Sequence, residues 1–243
     1  MLICQISDLH IKTRGKLSYG VVDTSGMLKR CVEHILALKQ KPDIVVATGD
    51  LTDFGRPDEY AHLRELLSPL AMPLYLIPGN HDHRENMIKA FPDHPYLSQF
   101  PPFIQYAIEH HPMRILAIDT VIASASGGEL CEKRLAWLAQ KLEQAPDRPT
   151  IIIMHHPPFK TFIGHMDDIG LNNAEGLKAI VKRHPQITRS LRPPAPADSS
   201  ALGRYACIHH PQPRASGRAR PLCRCAVAIC DGAAGLSIAQ MAS

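Results

Sequence analysis

Apolar positions follow two rhythms over the first three quarters of the chain. Short runs rich in β-branched residues at 2–6, 44–47, 74–77, 115–118 and 151–154 are each closed by polar residues or by Gly and Pro. That pattern predicts strands buried on both faces. Between them the apolar spacing lengthens to that of a helix. Residues 27–39 place Met27, Cys31, His34, Ile35 and Leu38 on one stripe, residues 60–67 and 135–142 behave likewise, and 177–181 reads as a further helix. Pro57 stands where a first helical turn accepts proline, and Pro42 and Pro73 break the chain just ahead of strands. Strand and helix in alternation predict an α/β layered domain.

The rhythm stops near residue 189. From Ser190 to Ser243 there is no Lys, no Glu and one aromatic residue, Tyr205, while Ala, Pro, Arg and Ser dominate and four of the seven Cys appear. Six Arg and two Asp lie in this stretch, out of 27 basic and 23 acidic residues in all, so residues 1–189 carry 21 of each sign. The body is neutral and the last 54 residues supply the whole net charge of +4. Such a balance lacks the dense basic surface of a nucleic-acid binder. No apolar run reaches the roughly 18 to 20 residues of a membrane span, and Asp8 interrupts the opening run before it reaches the length of a signal segment. A soluble cytoplasmic protein is the expectation. Cys207, Cys223, Cys225 and Cys230 lack the paired spacing of a structural zinc site. Cys4, Cys31 and Cys131 sit singly in apolar settings, as buried thiols do in a reducing compartment.

Chemistry enters where the predicted strands end. Asp8-Leu9-His10 follows the first, Gly49-Asp50 the second, Gly79-Asn80-His81-Asp82 the third and His155-His156-Pro157-Pro158 the last. In an open α/β sheet the loops beyond the carboxyl ends of the strands converge on one crevice, so residues far apart in sequence meet there. Asp, His, Asp, Asn and His form an oxygen and nitrogen donor set without thiolate, which suits Mn, Fe, Zn or Co. Any one of these motifs alone is as well read as a capped surface loop. Four in order, each directly after a strand, point to a metal centre.

Together these motifs resemble the signature of the calcineurin-like metallophosphoesterase superfamily over residues 1–189. The stretch Gly55-Arg56-Pro57-Asp58-Glu59-Tyr60 and the run 75–82 most resemble the bacterial class III 3',5'-cyclic-nucleotide phosphodiesterases and glycerophosphodiesterases. The resemblance implies a layered sandwich of two mixed β-sheets flanked by helices, and a pair of divalent or trivalent metal ions. It implies that Asp8 and His10 hold the first ion, that Asp50 bridges both, and that Asn80 and His155 hold the second. His81 would face the phosphate and stabilise charge or protonate the leaving alkoxide, with Asn80 and, more weakly, Arg56 as further substrate contacts. Two adjacent cations bind phosphoryl oxygens and lower the pKa of a water toward about 7, giving a hydroxide for in-line attack. The implied partner is a small phosphodiester, a cyclic nucleotide or a glycerophosphodiester, with a homo-oligomer open. A catalytically inactive metal- or phosphate-binding protein, or a phosphomonoesterase or protein phosphatase of the same superfamily, is the alternative. Asp82 is expected to orient His81 or cap the following helix, His156 to face away from the crevice, and His83, His94, His110 and His111 to lie at the surface.

The resemblance fails where it should close. After residue 189 the family continues into a strand and a Gly-His-x-His motif whose two histidines complete the metal sites. No such motif exists in this chain. One allowed codon spelling of residues 190–199, read one base later, yields Ala-Cys-Gly-His-Leu-His-Arg-Pro-Ile-Gln, the missing motif at the expected place. The expectation is therefore a metallophosphoesterase domain at 1–189, incomplete at its C-terminal end, and a tail at 190–243 read out of frame. A tail so poor in large apolar residues is expected to be largely disordered. With two of seven ligands lost, weakened metal binding and impaired activity follow.

Overall fold

The computed structural model describes residues 1–162, 164–188, 226–231 and 235–240. The elements in chain order are β1 (Leu2–Ile6), α1 (Thr24–Ala37), β2 (Ile44–Thr48), α2 (Pro57–Leu67), β3 (Leu74–Ile77), α3 (Arg84–Ala90), β4 (Tyr106–Ile108), β5 (Arg114–Ala117), β6 (Gly128–Glu129), α4 (Glu132–Glu143), β7 (Thr150–Ile153), α5 (Gly164–Asp168), β8 (Leu171–Asn172), α6 (Ala174–Arg183), α7 (Pro185–Thr188), β9 (Ala226–Asp231) and β10 (Gly235–Gln240). They build a five-stranded sheet of order β10-β9-β1-β2-β3, a three-stranded sheet of order β4-β5-β7 and a small β6-β8 pair. β1, β2 and β3 run parallel, whereas β9 is antiparallel to β1 and β10 to β9. In the second sheet β5 and β7 are parallel and β4 is antiparallel. Two mixed sheets with flanking helices are the architecture expected.

Strand periodicity welds the layers together. Along β5, Ile115 and Ala117 enter the core shared with β1, β2, α1 and α2, while Leu116 enters a second core with Trp137, Leu138 and Leu142 of α4 and Leu177, Ile180 and Val181 of α6. β7 does the same, with Ile151 toward the first core and Ile152 toward the second. Side chains alternate across a pleated strand, so an all-apolar run must be covered on both faces. Fully burying one such leucine contributes about 1.5 to 3 kcal/mol. Arg114, wholly buried at the start of β5, is satisfied by Thr150 Oγ1 at 3.0 Å and by the carbonyls of Lys141 at 2.6 Å and Ala145 at 3.4 Å. The guanidinium thus closes the C-terminal end of α4, where free carbonyls favour a cation.

Three local readings change. α1 begins at Thr24 because the Asp23 carboxylate accepts from Gly26 N at 2.8 Å, and its buried stripe is Leu28, Cys31, Val32 and Ile35, leaving His34 exposed. The cap starts the helix earlier, and the face that packs is centred on Leu28, Val32 and Ile35, which leaves His34 outside it. Cys4 and Cys131 are free, but Cys31 is disulfide-bonded and is not a lone thiol. Within 190–243, residues Ala226–Asp231 and Gly235–Gln240 form β9 and β10 on the free edge of β1. An unpaired strand edge offers a row of N–H and C=O groups to any extended segment; β9 meets that edge and β10 adds on to β9. The rest of 190–243, with the expected disorder and the out-of-frame reading, lies outside the described residues. Among the described residues no helix is long and apolar enough to cross a membrane.

Candidate metal centre

The loops after β1 and β2 are zipped to each other. Asp8 N donates to Gly49 O at 3.1 Å, His10 N to Asp50 O at 2.9 Å and Ile11 N to Leu51 O at 3.1 Å. Leu9, Ile11 and Leu51 are buried, so the residues between them turn the other way. Asp8, His10 and Asp50 all hold positive φ, at 55°, 43° and 49°. Three non-glycine residues in the left-handed region cost on the order of 1 kcal/mol or more each, a strain that persists only where the surroundings impose it.

Close approach is secured by two glycines. A Cβ on Gly49, which has φ 93°, would lie 2.4 Å from His155 Nδ1, and one on Gly79 would lie 2.2 Å from Asp50 N. Only with hydrogen at both positions can the loops after β2, β3 and β7 close on one another.

Asp50 is the hub. Its Oδ1 accepts from His81 N at 3.0 Å and lies 3.4 Å from His155 Nε2, and its Oδ2 lies 3.7 Å from His10 Nε2. Burial works against its charge, yet His155, His10 and His81 around it hold the carboxyl below its ordinary range. For His155 and His10 the balance runs the other way. Burial disfavours the imidazolium, but Asp50 and Asp8 beside His155, and Asp53, Asp50 and Asp8 beside His10, raise both above the usual histidine value. His155 Nδ1 lies 3.0 Å from Thr48 O, which makes it the N–H of the neutral ring and leaves Nε2 facing Asn80 Oδ1 at 3.2 Å and Asp50 Oδ1 at 3.4 Å. One nitrogen facing two oxygens needs either a proton or a cation between them. A metal with bonds of about 2.1 Å spaces neighbouring ligands about 3.0 to 3.4 Å apart, which fits this group.

Asp8, Asp50 and His155 present ligand atoms within 4.8 Å of one another, with Asn80 against His155, while Ser7 Oγ steadies Asp8 Oδ2 at 2.6 Å. His10 Nε2 approaches the same hub from the other carboxylate oxygen, 3.7 Å from Asp50 Oδ2. The five residues singled out as ligands, Asp8, His10, Asp50, Asn80 and His155, are therefore brought together. His81 Nδ1 lies 2.8 Å from the Asp53 carbonyl, so its ring is held at Nδ1 and keeps Nε2 for the crevice, edge-on to His10 with centroids 4.7 Å apart.

Sequence reasoning missed Asp53. It is buried, its Oδ1 lies 3.3 Å from His10 Nδ1, its Oδ2 2.5 Å from Lys12 Nζ, and with His10 and His81 it forms a second group within 4.8 Å. Although burial opposes its charge, His10 and Lys12 keep its carboxyl ionised, at about 2. The available signal was its place three residues after Asp50 in the same loop.

Asp82 neither orients His81 nor caps α3. Its carboxylate accepts from Gly79 N at 2.9 Å, Leu51 N at 3.0 Å, Thr52 N and Oγ1 at 3.1 Å and Tyr60 OH at 2.9 Å, tying the β2 and β3 loops together. The cap of α3 is His83, whose Nδ1 accepts from Asn86 N at 3.4 Å. Arg56 is exposed at the start of α2 with its guanidinium 5.0 Å over the Phe54 ring. His156 turns to Thr120 Oγ1 at 2.8 Å and Ser126 O at 3.2 Å, away from the ligand set. His83 and His110 are exposed as expected, but His94 and His111 are partly buried, His94 between Phe91 and Tyr96.

This arrangement of parallel strands, converging loops and oxygen–nitrogen donors is that of a metallophosphoesterase. The family description "Calcineurin-like phosphoesterase" matches residues 1–185, and the chain belongs to that family. It is 40% identical over 188 residues to a probable glycerophosphodiester phosphodiesterase GpdQ of Arcobacter nitrofigilis, covering 77% of this chain and 68% of that one. A glycerophosphodiester phosphodiesterase GpdQ of Enterobacter lignolyticus is 37% identical, with 78% and 68% covered. A 3',5'-cyclic adenosine monophosphate phosphodiesterase CpdA of Pseudomonas aeruginosa is 30% identical, with 77% and 66% covered.

Proposed function

We propose that this chain is a metal-dependent phosphodiesterase acting on a cyclic nucleotide or a glycerophosphodiester through two metal ions, and that its turnover is impaired. The observation that carries the reading is the convergence of Asp8, His10, Asp50, Asn80 and His155 from four separate loops onto Asp50. The likeness to GpdQ and CpdA phosphodiesterases supports the substrate class.

When bound, two Mn, Fe, Zn or Co ions would supply Lewis acidity toward the phosphoryl oxygens and acidify a water. Asp8, His10 and Asp50 would hold one, Asp50, Asn80 and His155 the other. His81, whose Nδ1–H donates to the Asp53 carbonyl, presents Nε2 toward the phosphate; as the imidazolium it would donate a hydrogen bond there or give its Nε2 proton to the departing alkoxide, leaving the neutral ring. Arg56, at the edge, offers its guanidinium to the substrate's charge. A cavity of about 1150 Å³ opens beside Pro157 and Pro158, edged by Ser126, Phe159, Lys160 and Phe162, on the chain just past His155 and not lined by the ligand residues themselves. Impairment follows from the absence of Gly-His-x-His in the sequence, and the same absence favours the second reading, a metal- or phosphate-binding protein without turnover.

The experiment is hydrolysis of a chromogenic phosphodiester with added Mn by this chain, by a version in which the frame is restored after residue 189, and by each with His81→Ala. Turnover in the restored chain that His81→Ala abolishes supports the phosphodiesterase. Metal-independent ligand binding with no turnover in either version selects the second reading.

A further inference from the structure

We propose that His156, clamped by Thr120, is a positioning residue that holds the end of β7 so that His155 reaches the metal centre. The clamp adds no ligand to that centre, and it rests on the reading of the centre given above only for the ion that His155 serves.

The ladder between β5 and β7 ends at the pair Ala117 and Ile153, with Ile118 N donating to Ile153 O at 2.9 Å. His155 stands two residues beyond that last pair, and Pro157 and Pro158, which follow, have no N–H to donate. A ligand carried past the end of its ladder needs another support, because a metal site holds its ligands to within about 0.5 Å. Side chains take over where the ladder stops. Thr120 Oγ1 lies 3.4 Å from His156 N and 2.8 Å from His156 Nδ1, and His156 Nε2 lies 3.2 Å from Ser126 O. A carbonyl only accepts, so Nε2 carries the proton of the neutral ring and Nδ1 accepts from the Thr120 hydroxyl, which in turn accepts from His156 N–H. One hydroxyl thus fixes both the backbone and the ring of the residue next to the ligand.

Thr120 is itself held fast. It is wholly buried, and its carbonyl accepts from Glu129 N at 2.8 Å. Both its neighbours are pinned. The Asp119 carboxylate takes Arg84 Nε and Nη2 at 2.6 and 2.8 Å and the Ile104 and Val121 amides at 2.9 Å, while Val121 O accepts from Arg84 Nη2 at 2.8 Å. Gly128 closes the other side of the ring, since a Cβ there would lie 2.4 Å from His156 Cγ. Consecutive strand residues point to opposite faces, and the rings of His155 and His156 stand edge to face with centroids 4.9 Å apart. His156 therefore anchors the end of β7 to the loop after β5, while His155 meets Thr48 O and Asn80 on the side of β2 and β3.

The test uses the full chain, stripped of metal with a chelator and titrated with Mn(II) while the free ion is followed by electron paramagnetic resonance. The wild-type chain is expected to bind two Mn, and His155→Ala identifies the ion that depends on His155. Thr120→Val, which keeps the shape and removes the hydroxyl, should raise the Kd of that ion at least tenfold and leave the other unchanged. Thr120→Ser, which keeps the hydroxyl, should bind both as the wild type does. A support of the fold alone would lower the urea midpoint and leave both Kd values where they were. That result, equal weakening of both ions, or a Thr120→Ser variant as weak as Thr120→Val overturns the proposal. If circular dichroism shows Thr120→Val unfolded, His156→Phe, which keeps the ring's bulk without its two hydrogen bonds, takes its place with the same expectation. Unfolding of both variants overturns it too, because the clamp would then serve the whole fold and not the ligand. No Mn on the wild-type chain overturns the metal centre itself.

Discussion

His155 Nδ1 stands 3.0 Å from the carbonyl of Thr48, the last residue of β2, although 107 positions separate the two in sequence. That contact aims Nε2 at Asn80 and Asp50, and so makes the end of one strand the positioning device for a ligand delivered by another.

Replacing His155 by Ala should remove one bound Mn and lower phosphodiester turnover of the frame-restored chain by at least a hundredfold. Metal content after dialysis, read beside activity, checks it; retention of both ions would remove His155 from the ligand set.

Restoring the frame after residue 189 should raise Mn affinity at least tenfold, because two further imidazoles multiply the contacts to each ion. Isothermal titration of the two chains with Mn(II) measures this directly. Equal affinities would mean that residues 1–188 already hold everything the ions use.

Gly49→Ala should destabilise the fold by about 2 kcal/mol or more, since a Cβ at φ 93° is strained and meets the His155 ring. The urea midpoint of the metal-free protein reads the cost, and an unchanged midpoint would contradict the packing described. Asp82→Ala should cost about 3 kcal/mol by stranding Gly79 N, Leu51 N and Tyr60 OH, while leaving residues distant from the two loops in place.

The metal-free chain should be most stable in mildly acidic solution. Folding raises His10 and His155 above their unfolded value near 6.5, so their contribution is complete below that pH and disappears as pH climbs through the higher folded values. Asp50 and Asp53 are depressed, so theirs is complete above about 4 and disappears as pH falls toward the folded values, about 2 for Asp53. Thermal melts across pH 2 to 9 without metal should peak between about 4 and 6.5, and a maximum in alkaline solution would refute the assignment. Saturating Mn should move that maximum upward, because bound cations replace the protons on both imidazoles.

Much of this was written in local pattern. β1 and β3 appear where their β-branched runs begin and end, β2 runs one residue longer, and β5 and β7 are each shifted one residue toward the N-terminus, because parallel strands covered on both faces must be apolar throughout. The ligand residues were legible for a related reason, since each follows a strand end directly. Short elements escaped: α3 depends on a His83 cap and β4 on pairing with β5, and neither has an apolar rhythm long enough to count.

Sequence by itself determined the strand–helix alternation, the family, the five ligand candidates and the break near residue 189. Tertiary structure alone decided that Asp53 joins His10 and His81, that Asp82 serves the backbone and not His81, that Gly49 exists to admit an imidazole, and that β9 pairs with β1 and β10 with β9. The division has one cause. Periodicity and motif report what a residue does within its own element, whereas Asp53, Asp82 and Gly49 take their roles from atoms that only the closing of separate loops brings within reach.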